Sequence, residues 1–180
     1  MPLNALPSAV PTPYYVIFGI IEPLLTVGGF AGALIDPLKT YNEQATQPPS
    51  LLLPTELPTA ARVTVIQLGH ACALLGLVNF FVLSALRTHL SSNPFLQEKI
   101  ARALLSPLLL GDILHMALTI YALGDARWDF AHYTPTLWMI IVFGFGLFVP
   151  RAMWHMGVGR FVEARDGKQF RSRSYQVLKS

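Results

Sequence analysis

Apolar residues run almost unbroken from Tyr14 to Ile35, Val63 to Leu86, Ala103 to Leu123 and Leu137 to Met156, with polar or proline-rich stretches between them. Each run has about the 20 residues that an α-helix needs to cross roughly 30 Å of hydrocarbon. The pattern predicts an all-α fold, an integral membrane four-helix bundle occupying the whole chain as a single domain. Little sequence is left for a separate soluble unit.

Prolines and caps refine these elements. Pro23, beside Glu22 in the first run, has no N–H for the carbonyl of Gly19 and crowds that turn, so the helix is expected to open around Glu22 and leave room for a ligand or water. Pro107 should bend the third helix. Asn93 followed by Pro94 reads as an N-cap and first helical residue, so a helix should begin ahead of the third span and run into it. Pro37, Pro48, Pro49, Pro54 and Pro58 exclude a long helix from the first loop, residues 36–62. Its Leu51-Leu52-Leu53 either lies over the bundle mouth as a lid or belongs to an irregular connection. Trp138 and Trp154, about 24 Å apart along a helix, suit the two aromatic belts of one span. A short echo between GIIEPLL and LLLGDIL hints at a two-plus-two helix repeat.

Composition agrees with a membrane class, since 53% of the 180 residues are hydrophobic and only 13% charged. With both termini on one side, that side holds Arg87, Lys99, Arg102, Arg151, Arg160, Arg165, Lys168, Arg171, Arg173 and Lys179, against Lys39, Arg62 and Arg127 on the other. This bias predicts that both termini are cytosolic. The basic tail, residues 157–180, suits anionic lipid headgroups better than nucleic acid. Ala31-Gly32-Ala33 has the form of a signal cleavage site, but no Lys or Arg precedes the run, and the run is longer than a signal core, so the first span is expected to remain in the mature protein. The endoplasmic reticulum is the default membrane. Cys72 stands alone, which leaves no disulfide framework or paired-cysteine metal site.

The polar residues inside the spans carry the candidate chemistry. Counting 1.5 Å per residue places Glu22 and Asp112 at nearly one depth, close to the midplane. Ionised groups there cost roughly 2.5 to 3.5 kcal/mol each on insertion scales, so each carboxyl needs a partner or a proton. At least one should stay protonated unless a histidine or Arg151 neutralises it, and a buried neutral acid is a proton donor. His115 shares a helix face with Asp112, and Gln67 shares one with His70. Arg151, after Pro150 near the end of the fourth span, is expected to snorkel to the interface or to bind an anionic group of a substrate. Phe18, Tyr15 and Trp138 are aromatic candidates for lining a cavity, where π faces stabilise a carbocation. Asn79 reads as packing.

There is no DDxxD array for magnesium and a diphosphate, no DxDD, no GxSxG, no P-loop and no HExxH. No metal or other cofactor is expected. Four spans in a chain of this length, IEP in the first, GDILH in the third and PRAMWH closing the fourth resemble the small fungal membrane-bound terpene cyclases of ascofuranone, ascochlorin and macrophorin biosynthesis. The resemblance implies a farnesylated aromatic or epoxycyclohexenone substrate, drawn from the bilayer and cyclised by protonation of an olefin or epoxide. It places the catalytic acids at Glu22 and Asp112, either of which could donate the proton, with His115 or the other carboxylate taking the last one. The residues expected to bind substrate are His70, Gln67, Phe18, Tyr15, Trp138 and Arg151. A sterol isomerase or sterol-binding bundle of the emopamil-binding type would use similar groups, and a non-catalytic scaffold or transporter subunit would use the acids only to tie helices together.

Overall fold

The computed structural model describes residues 8–167; residues 168–180 of the expected basic tail lie outside the described residues. Helix α1 spans Thr12–Ile35, α2 Pro37–Asn42, α3 Thr59–His89, α4 Pro94–Leu123 and α5 Pro135–His155, with 3-10 turns at Gly124–Trp128 and Phe130–His132. Among the described residues there is no strand. Four of the helices, α1, α3, α4 with the turn that follows it, and α5, are long and apolar enough to cross a membrane. The chain is a multi-pass membrane protein of the all-α, four-helix class. The Asn93 carboxamide oxygen accepts from the Leu96 N–H at 3.1 Å, so α4 starts at Pro94, well ahead of the apolar run. Leu52 is 95% exposed, so the apolar triplet of the first loop does not seat as a lid.

Helix α1 packs along α3, and α4 packs against α5. On α3 the buried positions Ala73, Gly76, Asn79, Leu83 and Leu86 recur every three or four residues and form one stripe. Small residues in this stripe let the backbones approach, as is usual where lipid offers no hydrophobic drive for helix association. At Gly76 the approach is closest, because a Cβ there would lie 3.0 Å from Pro23 Cα. Gly76→Leu is therefore expected to push α1 from α3 and lower stability by about 1–3 kcal/mol, read as a lower melting temperature in detergent. An unchanged melt would show that the crossing is loose.

The apolar core gathers where the described chain begins and ends. Val10, Tyr14 and Phe18 meet Leu83, Leu86, Ala101, Leu105 and Trp154 there. Trp154 is fully buried, its indole N–H donating to the Ala9 carbonyl at 2.8 Å with the Arg160 guanidinium 3.9 Å above its ring. It therefore does not serve as the interfacial belt residue that its spacing from Trp138 suggests; a carbonyl partner and a stacked cation satisfy it inside. Gly157 and Gly159, at φ +78° and +64°, turn the chain back after α5. That turn brings Arg160 to Glu98 of α4 at 2.8 Å, and the Glu163 N–H donates to the other Glu98 oxygen. Gln97 accepts from the Ser8 hydroxyl and the Ala9 N–H, fixing the entry segment to α4.

At the opposite end the first and third loops are joined. The Thr134 hydroxyl donates to the Glu43 carbonyl, the Thr136 hydroxyl to the Glu43 carboxylate, and the Gln47 N–H to the His132 carbonyl. Both loops therefore lie at one end and both described chain ends at the other, the arrangement of four helices running alternately up and down.

Candidate functional site

Pro23 shapes the first wall of the site. Without a proline N–H to bond Gly19, the backbone from Val16 to Ile21 widens into a π-helical turn, and the Glu22 N–H bonds Ile17 O, five residues back. Single π turns recur at functional sites because they redirect a side chain within an otherwise regular helix. Here the redirected residue is Glu22, buried at 7% exposure.

Arg151 reaches Glu22 from α5. Side chains on an α-helix lean toward its N-terminus, so an arginine in the last turns of α5 points back into the bundle. Its Nη2 donates to Glu22 Oε2 at 2.6 Å and its Nη1 to Asp112 Oδ2 of α4. The Arg151 side chain is fully buried, while those of Glu22 and Asp112 are 10% and 14% exposed. The Phe18 ring lies 4.9 Å from the guanidinium carbon. The expectation that Arg151 snorkels is thus overturned, and its two terminal nitrogens are engaged by the protein's own acids.

The two carboxyls therefore meet around one cation that joins α1, α4 and α5. Three buried ions carry a net charge of −1, and a proton on either carboxyl would remove it. Arg151 Nε and both amide atoms of Asn79 have no hydrogen-bond partner among the described residues. Asn79, fully buried on α3, stands against the Glu22 carboxyl without closing a hydrogen bond to it. It is the member of the site that its residue type alone concealed. The signal that could have found it is its place on the stripe of Ala73, Gly76 and Leu83, three residues from the close crossing at Pro23.

His115, exposed on α4, lies within electrostatic reach of Asp112. Phe18 belongs to the site through its contact with Arg151. The other candidates lie elsewhere. His70 is exposed and its ring packs 5.7 Å from that of Phe30; Gln67 is exposed on the same helix. Tyr15 pairs its hydroxyl with Ser84 and its ring with Arg87. Trp138 sits in an aromatic group with Phe130 and Tyr133 beside the third loop. A recess of about 400 Å³ near the first loop, lined by Leu38, Thr55, Glu56, Leu57, Thr59 and Arg62, contains none of the triad of Glu22, Asp112 and Arg151.

A family model described as a domain of unknown function, DUF7704, matches residues 7–160, and the chain belongs to that family. The matched segment includes Glu22, Asn79, Asp112 and Arg151. No curated protein and no solved structure matches the chain.

Proposed function

We propose that this member of the DUF7704 family is a membrane-embedded terpene cyclase that acts on a farnesylated aromatic or epoxycyclohexenone compound. The observation that carries the reading is the meeting of two carboxyls on one buried guanidinium between apolar helices. Membrane interiors retain such groups chiefly where they serve a function. One proton held on the pair makes the cluster neutral and supplies a carboxylic acid in dry surroundings. Because Arg151 is engaged by both acids, its charge is not offered to a diphosphate or carboxylate, which suits a neutral lipid entering sideways from the bilayer. No cofactor is needed.

In the reaction the acid O–H bond breaks and its proton forms a C–H bond with the terminal olefin, or goes to an epoxide oxygen as the C–O bond opens. The resulting cation is attacked by successive double bonds of the chain, forming ring C–C bonds. Aromatic faces along the path of the chain stabilise the charge, while the Phe18 ring is already taken by the Arg151 guanidinium and by Tyr14. Loss of a C–H proton to the carboxylate or to His115 leaves a double bond, so no oxidant or reductant enters. In this reading both termini face the cytosol, and the membrane is that of the endoplasmic reticulum.

Microsomes bearing the full chain are the test. Incubation with a farnesylated phenol and a farnesylated epoxycyclohexenone is expected to give a cyclised isomer of one of them, and incubation with a sterol no product. A sterol whose double bond has moved, with no cyclised isomer, would transfer the protein to the emopamil-binding type. Absence of all products would leave the triad as a tie between helices.

A further inference from the structure

We infer that the recess beside the first loop is a binding site for one phosphatidylethanolamine headgroup. The site is independent of the cyclase reading. Three segments form it: Leu38 of α2, Thr55, Glu56 and Leu57 of the loop, and Thr59 and Arg62 in the first turn of α3. The Asn42 amide donates to the Pro54 carbonyl at 3.2 Å and ties the loop to α2, so the recess is formed in advance of any ligand. Its volume of about 400 Å³ lies in the usual range of small-molecule sites.

The polar groups on its walls are unengaged. No ion pair joins Glu56 to Arg62, and neither these side chains nor the Thr55 and Thr59 hydroxyls have a hydrogen-bond partner among the described residues. An arginine in the first turn of a helix leans back toward the helix start. That start has Pro58 and no side-chain cap, so the N–H groups ahead of Arg62, whose own N–H bonds the Pro58 carbonyl at 3.1 Å, add to the positive side of the recess. Glu56 supplies the negative side. The matching ligand carries an anion and a cation a few bonds apart, with apolar matter for Leu38 and Leu57.

Position selects a lipid. Arg62 stands directly before the apolar run from Val63 to Leu86, so the recess lies at the edge of the hydrocarbon, at the end of the bundle where the first and third loops join. In the same loop Leu51, Leu52 and Leu53 are 48%, 95% and 40% exposed, a patch that acyl chains cover better than water. A zwitterionic phospholipid brings phosphate to Arg62, a cation to Glu56 and chains to these leucines. The lining holds no aromatic ring of the kind that recognises a quaternary choline, whereas a primary ammonium donates hydrogen bonds to the Glu56 carboxylate and the Thr55 hydroxyl. An anionic glycerol headgroup leaves Glu56 unmatched.

Native mass spectrometry of the full chain in detergent tests this, with phosphatidylethanolamine, phosphatidylcholine and phosphatidylglycerol of identical acyl chains added in turn. One phosphatidylethanolamine per chain is expected to be retained in preference to the other two. Arg62→Gln should lower its retention about tenfold, as the loss of one charge-assisted hydrogen bond implies. Glu56→Gln should abolish the preference over phosphatidylglycerol while the phosphate stays held. Neither side chain has a partner within the protein, so both variants keep the fold. Equal retention of the three lipids by the wild type, or retention by both variants that matches the wild type, overturns the site. Displacement of the lipid by an equal concentration of soluble O-phosphoethanolamine overturns a lipid as its occupant, because the acyl chains would then contribute nothing.

Discussion

Arg151→Met is expected to prevent the bundle from assembling, while the triple variant Glu22→Gln, Asp112→Asn, Arg151→Met restores a folded but inactive protein. Removing the cation leaves two carboxyls facing each other inside apolar helices, and stripping one partner from a buried ion cluster costs about 3–5 kcal/mol. Such a loss takes away a large part of the stability of an ordinary domain. Methionine keeps the unbranched apolar stem and removes the guanidinium that lies against Phe18, so loss of charge is the main change. In the triple variant no ion remains to be paired, and replacing buried ions by neutral groups of similar volume is often close to neutral. The measurements are the yield of monodisperse protein in detergent and its thermal melt. Arg151→Met melting with the wild type would mean that the guanidinium is not what joins α1, α4 and α5.

Much of this architecture is legible in the sequence, because hydrocarbon thickness fixes how long an apolar run must be, and Asn93-Pro94 marks a helix start independently of the membrane. The meeting of Glu22 and Asp112 follows from rise per residue, and the opened helix before Glu22 from the missing N–H of Pro23. The place of Arg151 is not legible in the same way. Its position near the end of an apolar run suggests the interface, but the backward lean of helical side chains and the length of an arginine carry the charge inward. Trp154 misleads in a related way, since its belt spacing says nothing about the Ala9 carbonyl, which a distant part of the chain supplies. His70 and Gln67 share a face as their spacing requires, but which way that face points is set by the Gly76 crossing. Asn79 has no periodic or charge signal of its own; only its neighbours on the stripe, Gly76 and Leu83, mark it as interior.

With Asp112 as the donor, one of the two acids that the proposed reaction allows, Asp112→Asn is expected to lower turnover by about 10²–10⁴-fold, the usual contribution of a positioned general acid, while leaving the melting temperature near that of the wild type. Glu22 and Arg151 remain a neutral pair in that variant, so the helices stay tied and only the donor is gone. Glu22→Gln removes activity by another route. With a single carboxyl left, Arg151 compensates it completely, and Asp112 has no charge imbalance to make it keep its proton. Acidifying the medium supplies that proton from outside, so turnover by Glu22→Gln should climb as the pH falls, whereas Asp112→Asn should stay inactive at every pH at which it is folded. The pair of pH profiles separates a proton donor from a structural tie, because loss of a tie weakens folding in both variants and is not repaired by acid. Activity in Asp112→Asn equal to that of the wild type, with the fold intact, would take the proton away from this carboxyl altogether.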